Sequence, residues 1–523
     1  MPLESNTYSL CLDIGTTNVK CAICDPRKQN EIKAIVYDKL RLIYLPKGAV
    51  EIDPQQLWTQ IIRLIQRCLS TSNITIDQVS ALGIASQRNT FVTWDKTTGE
   101  EFHNLIVWKD LRAKHLVDAY NNSWKLWGLN FGSKLLYYIT KRRRFLVGSI
   151  MKFMNAQVSL RLVWVLTKNQ TVRDNLARRN VLFGTLDTWL IYKLTKGTHH
   201  VTDVSCASST GLFDPFTLSW APWVHFMFSI PAHILPKVLP TCCTKGEFGI
   251  VDAIHLGHEI PIRVSVADQS ASMFGVSCLN KGDLKVTLGT GTWMGINTWN
   301  KAHTSVGTLY PVVGWQLSPK SSSVVYICEG SSYATGTLIE WCKSKGLFRN
   351  VEETSTLASS VASSDGFVFP LGFSALHGAL MDEKHEIMEF LHSSELNAFK
   401  ARRDYYVRAL LESIAFRVKQ IFDTMVSETE FEFSCISVDG GSAQNDFLCQ
   451  LIADLTQVRV WRPRLTECSI VGVAKLITFG EANLSNDGTE FLPRLELYQE
   501  HMSLYKLWSL EVSWALLIER LES

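Results

Sequence analysis

The chain reads as an α/β protein. Short β-branched or apolar runs alternate with longer helical patterns along its 523 residues. Two strand–turn–strand hairpins, each closed by glycine and threonine, stand about half a chain apart, which points to two similar halves. Hydrophobic residues make up 46% and charged residues 20%. Those proportions exclude wholesale disorder and fibrous repeats. With 52 Lys and Arg against 50 Asp and Glu, the net charge is +2, too small for a globally basic nucleic-acid binder.

The elements follow in chain order. Residues 10–12 form a strand, 13–18 a glycine–threonine turn and 19–23 a second strand. Leu57, Ile61, Ile62, Leu64, Ile65 and Leu69 give residues 58–69 the spacing of an amphipathic helix. Residues 79–86 read as a buried strand ending in the polar cluster 86–90, and 106–112 as another polar cluster after an apolar strand. Residues 121–160 look irregular. Their basic run Lys141, Arg142, Arg143 and Arg144 reads as a solvated helix face in preference to a phosphate or anionic-membrane contact. A strand ends at Asp268, where a helix begins. The second hairpin comprises strand 284–288, turn 289–292 and strand 293–297. Strand 435–438 leads into a third glycine turn, and residues 475–495 lack a clean period. The expected division falls near Ile262, giving domains 1–262 and 263–523.

The thirteen cysteines are too dilute for a disulfide scaffold, and Cys21 and Cys24 form a lone pair without a second pair to complete a zinc site. Residues 1–10 lack a basic region followed by a long apolar run, so no signal peptide is expected. The most lipid-like stretch, 145–166, holds Lys152 and Arg161 centrally, against a membrane span. A soluble, cytoplasmic protein is expected.

The chain has no Walker loop, no Rossmann glycine fingerprint, no zinc-protease motif and no nucleophile elbow. Its chemistry must come from the three glycine turns. In the first, Gly15 admits a phosphate, Thr16, Thr17 and backbone N–H groups can donate to it, and Lys20 supplies a cation. Asp13 at the strand end suits Mg²⁺ held through water. Gly289 to Thr292 repeats this pattern. In the third, Gly440 and Gly441 open a helix N-terminus to an anion. Each turn alone could be an ordinary polar cap. Together they describe a nucleotide clamped between two lobes. Asp268 can accept a proton from a substrate hydroxyl or merely cap its helix. Arg88 and Asn89 can bind a polyhydroxy ligand and Trp108 can pack on its carbons, or they can be surface polar groups and a core ring.

Taken in order, LCLDIGTTNVK at 10–20, GIASQRNT at 83–90, LIVWKDLRA at 105–113, VADQSASMFG at 266–275, LGTGTWM at 288–294 and VDGGSAQNDF at 438–447 resemble the FGGY family of carbohydrate kinases over nearly the whole chain. The resemblance implies two ribonuclease H-like domains of the actin-like ATPase superfamily flanking a deep cleft. The cofactors would be ATP and Mg²⁺, and the first domain would bind the polyol. Carried over, Thr16, Thr17, Asn18, Lys20, Thr290, Gly336, Gly441 and Asn445 are nucleotide-side residues. Asp13 lies near the metal, Asp268 is the general base, and Arg88, Asn89, Trp108 and Gln269 line the polyol site with it. The partners are ATP or ADP and a small polyol, with self-association left open and no nucleic acid.

The sequence also departs from that family. Asn89 replaces a polyol-binding glutamate, the pocket tyrosine falls near Ala156, and Arg161 stands where lysine is usual. Glu340 replaces a glutamine, the segment after Phe373 is altered, and the small-residue helix after Ala474 is lost. The expected function is ATP-dependent phosphorylation of a primary hydroxyl, glycerol to sn-glycerol 3-phosphate foremost. The alternatives are another polyol or sugar, or a weakly catalytic kinase-like regulatory protein.

Overall fold

The computed structural model describes residues 8–303, 305, 309–332, 335–367, 402–429, 431–478 and 487–522. Two mixed sheets dominate. The first has six strands in the order Ile250–Val251, Ile260–Ala267, Val79–Ser86, Tyr8–Ile14, Asn18–Asp25, Glu31–Lys39. The second has seven, in the order Tyr310–Gln316, Val324–Ser332, Thr292–Trp299, Leu284–Leu288, Cys435–Asp439, Arg459–Pro463, Gly488–Phe491. The first has three antiparallel strands, then two parallel strands, then an antiparallel edge, and the second repeats this arrangement and adds Tyr310–Gln316 as a fourth antiparallel strand at its other edge. The repeat anticipated from the two hairpins is therefore a repeat of whole sheets.

Local sequence explains the elements. Central parallel strands covered on both faces need continuous apolar runs, and Val79–Ser86 is buried at all but Ser80. The predicted amphipathic helix spans Pro54–Ser72. Asp53 caps it by accepting from the N–H groups of Gln55 and Gln56 at 2.9 and 3.0 Å, with Pro54 in the first turn. It buries Leu57, Ile61, Leu64, Ile65 and Cys68 against the first sheet. At about 1.5–3 kcal/mol per large apolar side chain, that face holds the helix in place.

The strand Ile260–Ala267 pairs with Val79–Ser86 from Ile262 to Ala267, so the residue at which the sequence suggests a division lies inside the first sheet. The helix Asp268–Gly275 follows and packs on the helix Cys468–Ile477. The approach is close. A Cβ on Gly472 would meet the Ala271 carbonyl oxygen at 1.7 Å, and one on Gly275 the Cys468 oxygen at 1.9 Å. Lys475 is buried at this contact and donates to Gly275 O at 3.1 Å and Ser277 Oγ at 2.8 Å. Burial pushes its ammonium down to about 8.

Two sequence expectations change. Residues 121–160 are not irregular throughout, since they contain the helices Trp124–Thr140 and Arg143–Ser149. The helix Cys468–Ile477 ends three residues past Ala474, and the stretch 475–495, which lacks a clean period, contains the strand Gly488–Phe491. The altered segment after Phe373 lies outside the described residues. All thirteen cysteines are free thiols, twelve of them buried. Among the described residues no helix is long and apolar enough to cross a membrane.

Candidate active site

The two hairpins face one another. Thr17 Oγ1 and Thr290 Oγ1 lie 3.3 Å apart, although 273 positions separate them in sequence. The first turn is closed by Gly15 N–H donating to Asn18 O at 3.0 Å, and the second by Gly289 N–H donating to Gly291 O at 2.9 Å. Gly336 seats its helix on the second turn, its N–H donating to Thr290 O at 2.9 Å. A Cβ at Gly336 would meet Gly289 O at 2.6 Å, which is why only glycine fits there.

Behind the first hairpin, strand pairing sets Asp13 opposite Lys20. Asp13 Oδ2 accepts from Ser469 Oγ at 2.5 Å, and Lys20 pairs with Glu467. Burial raises the Asp13 carboxyl above its ordinary range, against the opposing pull of Lys20 and Ser469. Its Oδ1 is buried and has no hydrogen-bond partner among the described residues. Behind the second hairpin, Lys285 pairs with Asp439 at 3.0 Å and also donates to Thr287 Oγ1. Thr287 in turn donates to Gln269 Oε1 at 3.0 Å. Ser272 donates to the other oxygen of Asp439.

Asp268 opens its helix at the junction of the two halves, and its Oδ1 accepts from Gln269 N–H at 2.8 Å. Burial pushes its carboxyl up to about 7. Arg88 opposes that rise, and the nearby Asp13 charge adds to it. Arg88 makes a two-pronged bond to Glu329, at 3.1 and 2.7 Å, from one half to the other. Its guanidinium lies 5.7 Å from the Trp293 ring centre, and Trp293 meets Trp108 edge-on at 6.1 Å. Trp108 Nε1–H donates to Thr16 Oγ1 at 2.9 Å, and Thr16 donates to Gln87 Oε1 at 3.3 Å.

The structure thus brings Asp13, Thr16, Thr17, Lys20, Arg88, Trp108, Asp268, Gln269 and Thr290 into one linked group. Thr16 uses its hydroxyl on the tryptophan wall. Asn18 opens the second strand of its hairpin. Asn89 adopts a left-handed φ of 64°, and its Oδ1 accepts from Ser209 Oγ at 3.1 Å. Gly441 has open space where a Cβ would stand. Asn445 is committed within the protein: its Oδ1 caps the helix Asp446–Thr456 through Leu448 N–H at 2.9 Å, and its Nδ2 donates to Thr354 at 2.9 Å. Glu340 points to solvent.

Sequence reasoning did not pick out Glu329, Glu467, Lys285 or Trp293. Glu329 and Lys285 carried a signal, since each is a charge in an otherwise apolar buried strand. Arg161 is fully buried and ties the backbone at residues 89, 107 and 156–157 together. It donates to the carbonyls of Val107 at 2.6 Å, Asn89 at 2.8 Å, Ala156 at 2.8 Å and Gln157 at 3.1 Å.

Sequence models of the FGGY family of carbohydrate kinases match this chain twice, the N-terminal domain over residues 8–275 and the C-terminal domain over 284–480. The chain belongs to the FGGY family of carbohydrate kinases. The kinase is 41% identical to glycerol kinase 5 of Danio rerio over 498 residues, covering 95% of this chain and 91% of the relative. It is 33% identical to glycerol kinase of Haloferax volcanii, covering 90% and 89%. Among solved structures, Plasmodium falciparum glycerol kinase with ADP superposes with a TM-score of 0.79 at 23% identity, covering 97% of this kinase and 99% of that chain. The kinase therefore has the two-domain actin-like ATPase fold of the family.

Proposed function

We propose that this kinase transfers the γ-phosphoryl group of ATP to a primary hydroxyl of a small polyol, glycerol foremost. The observation that carries the reading is the place of Asp268. Its carboxyl lies within electrostatic reach of Arg88, which meets Trp293 and through it Trp108, and of Asp13 behind the turn of Thr17. The relatives named glycerol kinase and glycerol kinase 5 support the choice of glycerol.

In this reading Arg88, held by Glu329, presents its remaining donors to hydroxyl oxygens, and Trp108 and Trp293 cover the carbon chain. Thr17, Thr290 and the turn N–H groups donate to phosphate oxygens. With an affinity near neutrality, Asp268 accepts the hydroxyl proton as the new O–P bond forms, and ADP leaves in line on the nucleotide side. The orphaned Asp13 Oδ1 suits a hydrated divalent cation. Mg²⁺ there would neutralise charge on the transferring phosphate. In this reading the division expected near Ile262 moves to residues 276–283, because the strand Ile260–Ala267 pairs within the first sheet and the two family models leave 276–283 between them.

Asn89 supplies no charge where the family has glutamate, a loss worth about 1–3 kcal/mol if nothing replaces it. That substitution is the one feature favouring a different polyol or sugar. The test is ADP release with Mg-ATP and glycerol, then with a panel of polyols and sugars, for wild type beside Asp268→Asn. Glycerol-dependent turnover lost in the variant is expected. No turnover with any acceptor would leave the regulatory reading in its place.

A further inference from the structure

We propose that the helix Trp124–Thr140 and the basic segment after it dock the kinase onto an anionic phospholipid surface. The helix is inside out by the standard of a soluble protein. Trp124, Trp127, Phe131, Leu135, Tyr138 and Ile139 are between 53% and 77% exposed. At 100° per residue they fall within about one third of the helix circumference. The opposite side packs on the protein: Leu126 is buried, Asn130 donates to Met151 O at 3.3 Å, and Ser133 lies against Gly148. The apolar stripe therefore faces outward by construction.

Amphipathicity of this sense has a physical use at a membrane interface. There, an apolar face sinks about 5–10 Å into the headgroup boundary while cations remain at the phosphates. Tryptophan and tyrosine suit that depth because each ring is apolar in body and polar at one edge. Trp127 and Phe131 stack at 5.4 Å, which gives the stripe a flat centre. Gly128 and Gly132 have open space where a Cβ would stand, so nothing protrudes beside it.

Charge selects the occupant. From Ala119 to Arg173 the sequence has no Asp or Glu and ten Lys and Arg, in a chain whose net charge is only +2. Of these, Lys125, Lys134, Lys141, Arg142 and Arg143 are exposed. A second copy of the chain would bring this positive surface against itself. A bilayer carrying anionic headgroups complements both the stripe and the cations. The sequence alone favours a solvated helix face for Lys141 to Arg144. The outward stripe beside them is what favours the anionic surface instead.

The test is flotation of the full-length kinase with vesicles of phosphatidylcholine, alone or with about 30% phosphatidylserine. Wild type is expected to float with the anionic vesicles and to be released by salt. Arg142→Gln/Arg143→Gln should weaken partitioning about 30-fold, from roughly one cation's worth each. Trp127→Glu/Phe131→Glu should weaken it at least about tenfold through lost apolar insertion. Both variants should keep wild-type thermal unfolding and turnover, which shows that they fold. Wild type remaining in the aqueous phase, or variants partitioning as well as wild type, would overturn the proposal. So would a solution dimer that Trp127→Glu/Phe131→Glu converts to monomer, which assigns the stripe to a second copy.

Discussion

Replacing Asp268 with asparagine should stop turnover and stabilise the protein, and both effects should share one pH dependence. The Asp268 carboxyl is lifted from an ordinary 3.8 to about 7, first by burial, with Arg88 opposing and Asp13 adding. Below pH 4 the group is protonated in folded and unfolded chains alike and contributes nothing. Between 3.8 and about 7 the unfolded chain ionises while the folded one does not, so folding stability falls as pH rises. Above 7 the loss is complete and flat. At 1.36 kcal/mol per pH unit the full loss is about 4 kcal/mol. Asp268 is only partly covered, and screening by water in the cleft reduces this to about 2 kcal/mol. Asparagine keeps an oxygen for the Gln269 N–H and carries no charge. The assay is thermal unfolding of wild type and variant without ligands from pH 4.5 to 8.5. The gap should be narrowest at the acid end and widen to about 2 °C above pH 7, variant higher. Wild-type kcat/KM should rise with a midpoint near 7 as the base ionises. A pH-independent difference in unfolding temperature, or a less stable variant at pH 8.5, would refute the reasoning.

Other perturbations test the cross-cleft contacts. Glu329→Gln leaves the Arg88 charge without its partner in a largely buried position, so a loss of about 3–5 kcal/mol in denaturant unfolding and a raised polyol KM are expected. Gly336→Ala drives a Cβ into the second turn. ATP KM should rise several-fold in steady-state assays while polyol KM stays near wild type. Arg161→Lys replaces a planar fork reaching four carbonyls with a single ammonium. Calorimetry should show a loss of about 2–3 kcal/mol, with polyol KM rising more than ATP KM.

The sequence revealed those parts of the fold and site that are built locally. A glycine turn between two apolar strands marks a hairpin wherever the strands end up, and Asp268 stood out because a strand stops and a helix starts there. The same logic could not pair Arg88 with Glu329 or Lys20 with Glu467, whose partners lie 241 and 447 positions away and are joined only when the two sheets meet. Thr16 illustrates a subtler limit. Its place in a phosphate-type turn suggests a phosphate donor, but the fold delivers Trp108 to the same oxygen. The helix Trp124–Thr140 was hidden for the opposite reason. Its apolar residues suggest core, and periodicity does not say which side of a helix meets the protein.

The contact between the helices Asp268–Gly275 and Cys468–Ile477 has a kinematic consequence. Backbone lies against backbone there, so it tolerates twisting better than separation, as a pivot does. One helix begins with Asp268. The other begins beside Glu467 and carries Ser469, which reach Lys20 and Asp13. In a rotation of about 10°, a point about 3 Å from the axis moves about 0.5 Å, and a point about 25 Å away moves about 4 Å. The outer rims of the two lobes could therefore swing widely enough to admit a nucleotide while Asp268 and Asp13 hardly shift. Alignment of the reacting groups would then survive each opening and would not have to be rebuilt.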